Sequence, residues 1–392
     1  MHTSSQCSNR SNLLHRLFIY FSVLSFFVVQ PNASTAASFD TLARQAYMID
    51  LTTGAVLLEK DAHSKMPPAS MSKLMTAYLL FERLKNGSIS MEDTLPISSN
   101  ASRKGGSKMF LRDGERVKVE DLIRGIVIQS GNDACIAIAE GLAGSEEAFA
   151  EMMNAKAKEI GLENSNFTNA TGWPDPEHYM TAADLVKLAQ RLFEDFPEYY
   201  HFYSERQFSF NKITQRNRNP TLGVIEGADG MKTGYTRASG YGLTASAERD
   251  ERRLIMVVNG LDSSQARAAE AERLMNWGFG FFKIHELIQA GETVETAELW
   301  LGQKRTVPLV LKEDLRVTLP KSSKAKLKVV VRYEGPVKAP VYKGEKLGTL
   351  VVSAPGIETI ERQLYVAETV ERLGPAGRVI ETLGALVSGA GR

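Results

Sequence analysis

The chain has 392 residues, 43% of them hydrophobic, and its 47 Lys and Arg nearly balance 46 Asp and Glu, a formal net charge of +1. That length exceeds one typical domain, so two are expected, and the apolar content is ordinary for a protein that builds a real core. The near-zero balance excludes a nucleic-acid partner recruited by bulk charge; the Lys-rich stretch 321–328 reads as a solvated loop.

Arg10, His15 and Arg16 form a basic start, and residues 17–29 form an apolar run too short for a typical spanning helix. Pro31 and Asn32 break it, and the small residues 33–37 suit cleavage, so residues 1–37 read as a secretory signal with an uncleaved anchor as the alternative. Of the two cysteines, Cys7 lies in that segment. Cys135 follows apolar helical spacing and reads as a buried packing residue rather than a nucleophile. No spaced Cys/His set suggests a metal site, and no cofactor is expected.

Residues 46–59 predict a β-hairpin turning at Gly54. After Pro67 and Pro68 comes Ser70-Met71-Ser72-Lys73 and a run of good helix formers ending near Asn86-Gly87. Ser70 therefore lies at a helix N-terminus, with Lys73 one turn on and its amine in reach of the hydroxyl. A serine hydroxyl is a weak nucleophile until a base takes its proton. A lysine held in a dry pocket can lose its charge and act as that base. Alone, Ser-x-x-Lys is short enough to arise by chance, and an N-cap serine with a solvated lysine is the ordinary reading. Residues 99–114, rich in Ser, Gly and Lys, predict a loop, either a plain surface one or one beside a cleft. Residues 119–124 predict a helix leading to Ser130-Gly131-Asn132, which opens a second helix. Apolar spacing marks a helix from Glu146 to Ile160 that stops at Gly161. Residues 164–179 read as loop, Thr181 opens another helix, and 205–213 alternate like a strand.

Lys232-Thr233-Gly234 precedes a strand-like run, 241–247; residues 254–259 are a buried-strand candidate, and 267–283 read as a long helix. Strands at both ends with helices between predict an α+β first domain over 38–290. From 291 to 370 short β-branched runs separated by Pro and Gly predict a small all-β domain. The tail, 371–392, has Val379, Ile380, Leu383, Leu386 and Val387 on one helical face. Such a stripe fits a surface helix or an amphipathic membrane anchor.

Ser-x-x-Lys, then Ser-Gly-Asn, then Lys-Thr-Gly, in that order, resemble the motif set of the penicillin-binding proteins and serine β-lactamases. Residues 124–135, 172–176, 229–236 and 276–279 make the chain most similar to the low-molecular-mass serine-type D-alanyl-D-alanine carboxypeptidases, over roughly 43–364. The resemblance implies a β-lactamase-like catalytic domain, an antiparallel sheet flanked by helices, then a small β-sandwich. It implies export to the periplasm or outer face of the cytoplasmic membrane, with peptidoglycan stem peptides and β-lactam antibiotics as partners and a membrane surface met through the tail. By resemblance Ser70 is the acylated nucleophile, Lys73 its base with a pKa depressed by burial and by Lys232, and Ser130 passes a proton to the leaving amine with help from Lys232. Asn132 holds the acyl side chain and orients Lys73. Thr233, Gly234 and Tyr235 line the substrate, with N–H groups of Ser70 and Tyr235 as oxyanion donors. A carboxypeptidase must also read a free carboxylate, which suits arginine. Arg267 is the candidate, and Arg218 the second. The rival enzyme, a class A β-lactamase, needs a deacylating glutamate; Glu163 lies in the right part of the chain, in the wrong setting. A penicillin-binding sensor or scaffold with little turnover is the other rival.

Overall fold

The computed structural model describes residues 39–323, 326–355 and 359–388. The expected signal, 1–37, and part of the Lys-rich stretch lie outside the described residues. Among the described residues no helix is long and apolar enough to cross a membrane.

The first domain is built on a five-stranded antiparallel sheet in the order Ala55–Lys60, Gln45–Asp50, Arg252–Leu261, Gly240–Arg249, Ala228–Thr236. The hairpin turns at Gly54, whose φ of +74° favours glycine. The central strand, Arg252–Leu261, is buried throughout because both of its faces are covered. Side chains alternate along it. Leu254, Met256 and Val258 join one apolar cluster with Ala271, Leu274 and Met275 of the helix Ser264–Phe281. Ile255 and Val257 join the other, with Leu74, Ile136, Leu185 and their neighbours from the helices Lys73–Lys85, Asn132–Ala143 and Ala182–Asp195. Side-chain caps begin two of these helices, Thr181 accepting from Asp184 N and Ser263 from Ala266 N.

Three expectations change locally. Residues 99–103 form a short helix capped by Ser98, so only the remainder of that stretch is loop. The strand expected over 205–213 is a hairpin, Gln207–Phe210 with Ile213–Arg216, because Asn211 and Lys212 both take positive φ. The long helix starts three residues before Arg267 and ends at Phe281. Lys283 instead lies in the strand Phe282–Ile288, which pairs with Leu315–Pro320. By pairing, that strand belongs with the β domain, ahead of the boundary read at 291.

The β domain adds a six-stranded sheet in the order Lys328–Arg332, Lys346–Ser353, Ile360–Val366, Thr306–Val310, Thr293–Trp300, Val337–Lys338. One apolar core joins that sheet to the two-stranded ribbon through Val317, Leu319, Leu309, Leu350 and Leu364. The domains meet at Asp50, whose Oδ2 accepts from Arg252 Nε at 2.7 Å and from Thr318 Oγ1 at 2.8 Å. The helix Pro375–Ser388 follows, with Val379, Ile380 and Leu383 exposed.

Candidate active site

Ser70 lies in a 3-10 turn, Ala69–Ser72, immediately before the helix Lys73–Lys85. Ala69 takes a φ of +49°, an uncommon conformation for a residue with a Cβ, and it bends the chain sharply into Ser70. Lys73 Nζ stands 2.8 Å from Ser70 Oγ and donates to the carbonyl of Thr171 at 2.5 Å. The lysine is fully buried, and among the described residues no carboxylate pairs with it. Burial pushes its pKa down to about 8, and the charges of Arg218 and Lys104 act in the same direction against Cys135 and Asp133. Burial, where the sequence reading also invoked Lys232, is therefore the main cause.

The second motif sits where the helix Val119–Val127 gives way to Asn132–Ala143. Ser130 is buried with a φ of +62°, like Ala69 a residue with a Cβ in the left-handed region, and its hydroxyl makes no hydrogen bond among the described residues. Asn132 Nδ2 donates to Gly105 O at 2.8 Å and its backbone N–H to Ser107 O at 2.7 Å. Asn132 thus ties the loop at 105–107 to the site and makes no hydrogen bond to Lys73, contrary to expectation. Asp133, buried, accepts from Met109 N and Leu111 N and holds the next stretch of that loop. Cys135 is buried beside Lys73, and burial raises its thiol to about 12, which suits packing and not nucleophilic attack.

The third motif lies on Ala228–Thr236, the sheet's edge strand. A Cβ on Gly234 would stand 2.8 Å from Pro68 O, and one on Gly242 of the next strand 2.7 Å from Met71 Cε. Only glycine lets the strand lie this close to the Ser70 turn. Lys232 is buried, donates to Thr233 O at 3.0 Å, and is held well below the usual lysine range by burial, then by the Lys73 charge. Thr233 is buried, while Tyr235 is exposed and stacks on Tyr241 with ring centroids 4.2 Å apart. Arg267 is 9% exposed, and its guanidinium lies 5.7 Å over the Tyr241 ring. Among the described residues its Nε is buried without a partner and no carboxylate pairs with it. An unpaired buried cation is costly unless something compensates it. Arg218 is more exposed and donates to Ser107 Oγ.

Sequence reasoning read residues 164–179 as loop but missed that this loop supplies Lys73's acceptor. Asn169 Oδ1 accepts from Thr171 N, Thr171 Oγ1 and Trp173 N at 3.1, 3.0 and 2.9 Å, curling the chain so that the Thr171 carbonyl meets Lys73. Gly172, at φ +72°, passes so close to the turn that a Cβ would fall 1.9 Å from Ala69 O. A backbone acceptor leaves no residue-type signal; the glycine was its only trace. Glu163 is exposed and lines a separate cavity with Asn154, Lys158 and Ser165.

Residues 31–263 match the family model described as D-alanyl-D-alanine carboxypeptidase, and residues 282–372 the one described as penicillin-binding protein 5, C-terminal domain. The chain is 40% identical over 345 residues to D-alanyl-D-alanine carboxypeptidase DacC of Escherichia coli strain K12, covering 86% of each chain. It is 35% identical over 337 residues to DacF of Bacillus subtilis strain 168, covering 85% of this chain and 87% of that one. Among solved structures, penicillin binding protein 5 from Haemophilus influenzae superposes with a TM-score of 0.76 at 35% identity, over 85% of this chain and 99% of the other. Two matching domain models in the right order, and relatives aligned across most of both chains, place the three motifs in one lineage: the chain belongs to the D-alanyl-D-alanine carboxypeptidase family, the serine peptidases among the penicillin-binding proteins.

Proposed function

We propose that Ser70 carries the acyl-enzyme as this carboxypeptidase trims D-alanyl-D-alanine stem peptides of peptidoglycan, and that penicillin acylates the same oxygen. The observation that carries this is the Lys73 amine, dry, depressed to about 8 and 2.8 Å from Ser70 Oγ. Ser70 Oγ attacks the penultimate D-alanine carbonyl as neutral Lys73 takes its proton. The C–N bond then breaks, Ser130 delivers a proton to the leaving amine with Lys232 beside it, and water releases the peptide from the ester. N–H groups of Ser70 and of Tyr235, on the edge strand, receive the oxyanion. Arg267 and Thr233 read the terminal carboxylate, and Asn132 holds the acyl side.

Glu163's exposed position, away from Ser70, favours this reading over a class A β-lactamase. Residues 1–37 direct export, no nucleic acid takes part, and the helix Pro375–Ser388 meets the membrane surface through its exposed apolar residues. The deciding experiment pairs intact mass after penicillin exposure with D-alanine release from a pentapeptide. Wild type should gain one adduct and release D-alanine. Ser70→Ala should do neither while keeping its fold, and labelling of that variant at the wild-type rate would sink the assignment. An adduct without D-alanine release in wild type would indicate a penicillin-binding scaffold.

A further inference from the structure

The helix Ser264–Phe281 buries one stripe, Arg267, Glu270, Ala271, Leu274, Met275 and Gly278. Two opposite charges therefore share its buried face, three residues apart. Side chains at that spacing are neighbours, with Cβ atoms about 5–6 Å apart, and an acid and an arginine there ordinarily pair. Arg267 has more reason than most to take such a partner. It lies in the first turn of the helix, where the helix dipole opposes a cation, and its Nε has no partner among the described residues.

Glu270 is held elsewhere. Its Oε1 accepts from Thr41 Oγ1 at 2.5 Å, from Leu42 N at 3.1 Å and from Arg273 Nη2 at 2.7 Å, and its Oε2 accepts from Arg273 Nε at 3.0 Å. An ionised carboxylate offers about four lone-pair sites, and these four donors fill them. Burial raises the pKa of this carboxyl, but the bonds from Arg273, Thr41 and Leu42 outweigh it and hold it below the usual glutamate range, so Glu270 is charged. Arg273 is exposed and reaches over the start of the domain. Its guanidinium lies 4.4 Å over the Phe39 ring, and its Nη2 donates to Asp40 O at 2.6 Å. Phe39 in turn stacks on Trp277 with ring centroids 4.4 Å apart. Residues 39–42 and Arg273 thus form a clasp around Glu270.

We infer that Arg273 and the segment 39–42 are positioning residues for substrate recognition: they hold Glu270 away from Arg267, so that the guanidinium stays open to the terminal carboxylate of the peptide. Once released, Glu270 pairs with Arg267 and competes with that carboxylate for the same donors. The inference rests on the proposed role of Arg267 as the carboxylate reader.

The test measures kcat and KM for cleavage of the last peptide bond in peptides ending in D-Ala-D-Ala, as free acids and as C-terminal amides, beside a thermal melt. Thr41→Val with Arg273→Ala strips three of the four donors from Glu270. KM for the free acids should rise by roughly tenfold, the order of one hydrogen bond to a charged group. At saturation the substrate displaces Glu270, so kcat should hold, and the amides should be cleaved as before. Adding Glu270→Gln removes the competing charge and should restore KM; Arg273→Lys should stay close to wild type. If the double variant does not fold, Arg273→Ala alone, at an exposed position, should shift KM in the same direction. An unchanged KM, equal losses on acid and amide, or a KM that Glu270→Gln fails to restore would show that the clasp merely fastens the chain end, and would overturn the inference alone. A wild type with no preference for acid over amide would overturn the reading of Arg267, and this inference with it.

Discussion

Replacing Arg267 with alanine separates substrate recognition from stability. Arg267 is 9% exposed, its Nε has no partner among the described residues, and the Tyr241 ring, 5.7 Å from the guanidinium, is what faces its charge. A bound carboxylate would supply the missing partner. Hydrogen bonds to charged groups contribute about 1.5–3 kcal/mol, so Arg267→Ala should lose roughly tenfold to 150-fold in kcat/KM on free-acid peptides. The same peptides amidated at the C-terminus offer a neutral acceptor, for which about 0.5–1.5 kcal/mol is at stake, and the loss should be correspondingly small. Stability should move the other way. Losing the side chain's aliphatic packing costs something, but removing an uncompensated buried cation relieves a penalty, so Tm should hold or rise. The assay is D-alanine release from matched acid and amide peptides beside a thermal melt. Equal losses on both substrates, or a fall in activity that tracks a falling Tm, would refute the reasoning.

The pH dependence of acylation follows from Lys73. Its pKa is lowered to about 8 and the base must be neutral, so penicillin acylation should rise with pH and level off above about 8; a flat profile in stopped-flow acylation contradicts this. Lys73→Arg, which cannot deprotonate, should abolish acylation as read by intact mass. Gly172→Ala should cost about 1–3 kcal/mol and slow acylation, because its Cβ would fall 1.9 Å from Ala69 O; an unchanged Tm would show that the loop yields freely. Deleting the tail from Gly374 onward should end co-sedimentation with lipid vesicles and spare D-alanine release, given that Val379, Ile380 and Leu383 are 59%, 72% and 56% exposed. Full-length protein that ignores vesicles at low and high salt would exclude the anchor.

Local rules carried much of the architecture. The hairpin at Gly54, the helix opened by Thr181 and the helix stopped at Gly161 depend on residues a few positions apart, so their signals survive in the linear chain. The Ser70–Lys73 pair is local too, since three residues on a helical turn place an amine near a hydroxyl wherever that turn lies. Boundaries were less legible. Phe282–Ile288 became a strand because Leu315–Pro320, over thirty positions on, supplies its pairing.

What makes Lys73 a base could not be read from one segment. Its burial comes from the packing of separate elements, and its acceptor is the carbonyl of Thr171, ninety-eight positions away. The same holds for Arg267: its residue type suggested a carboxylate reader, but packing left it buried over Tyr241 without a counter-charge among the described residues. Sequence by itself determined which chemical groups were present and how neighbours along the chain were spaced. Tertiary structure decided which were dried, which were paired and which were left unpaired, because desolvation and charge depend on everything nearby in space.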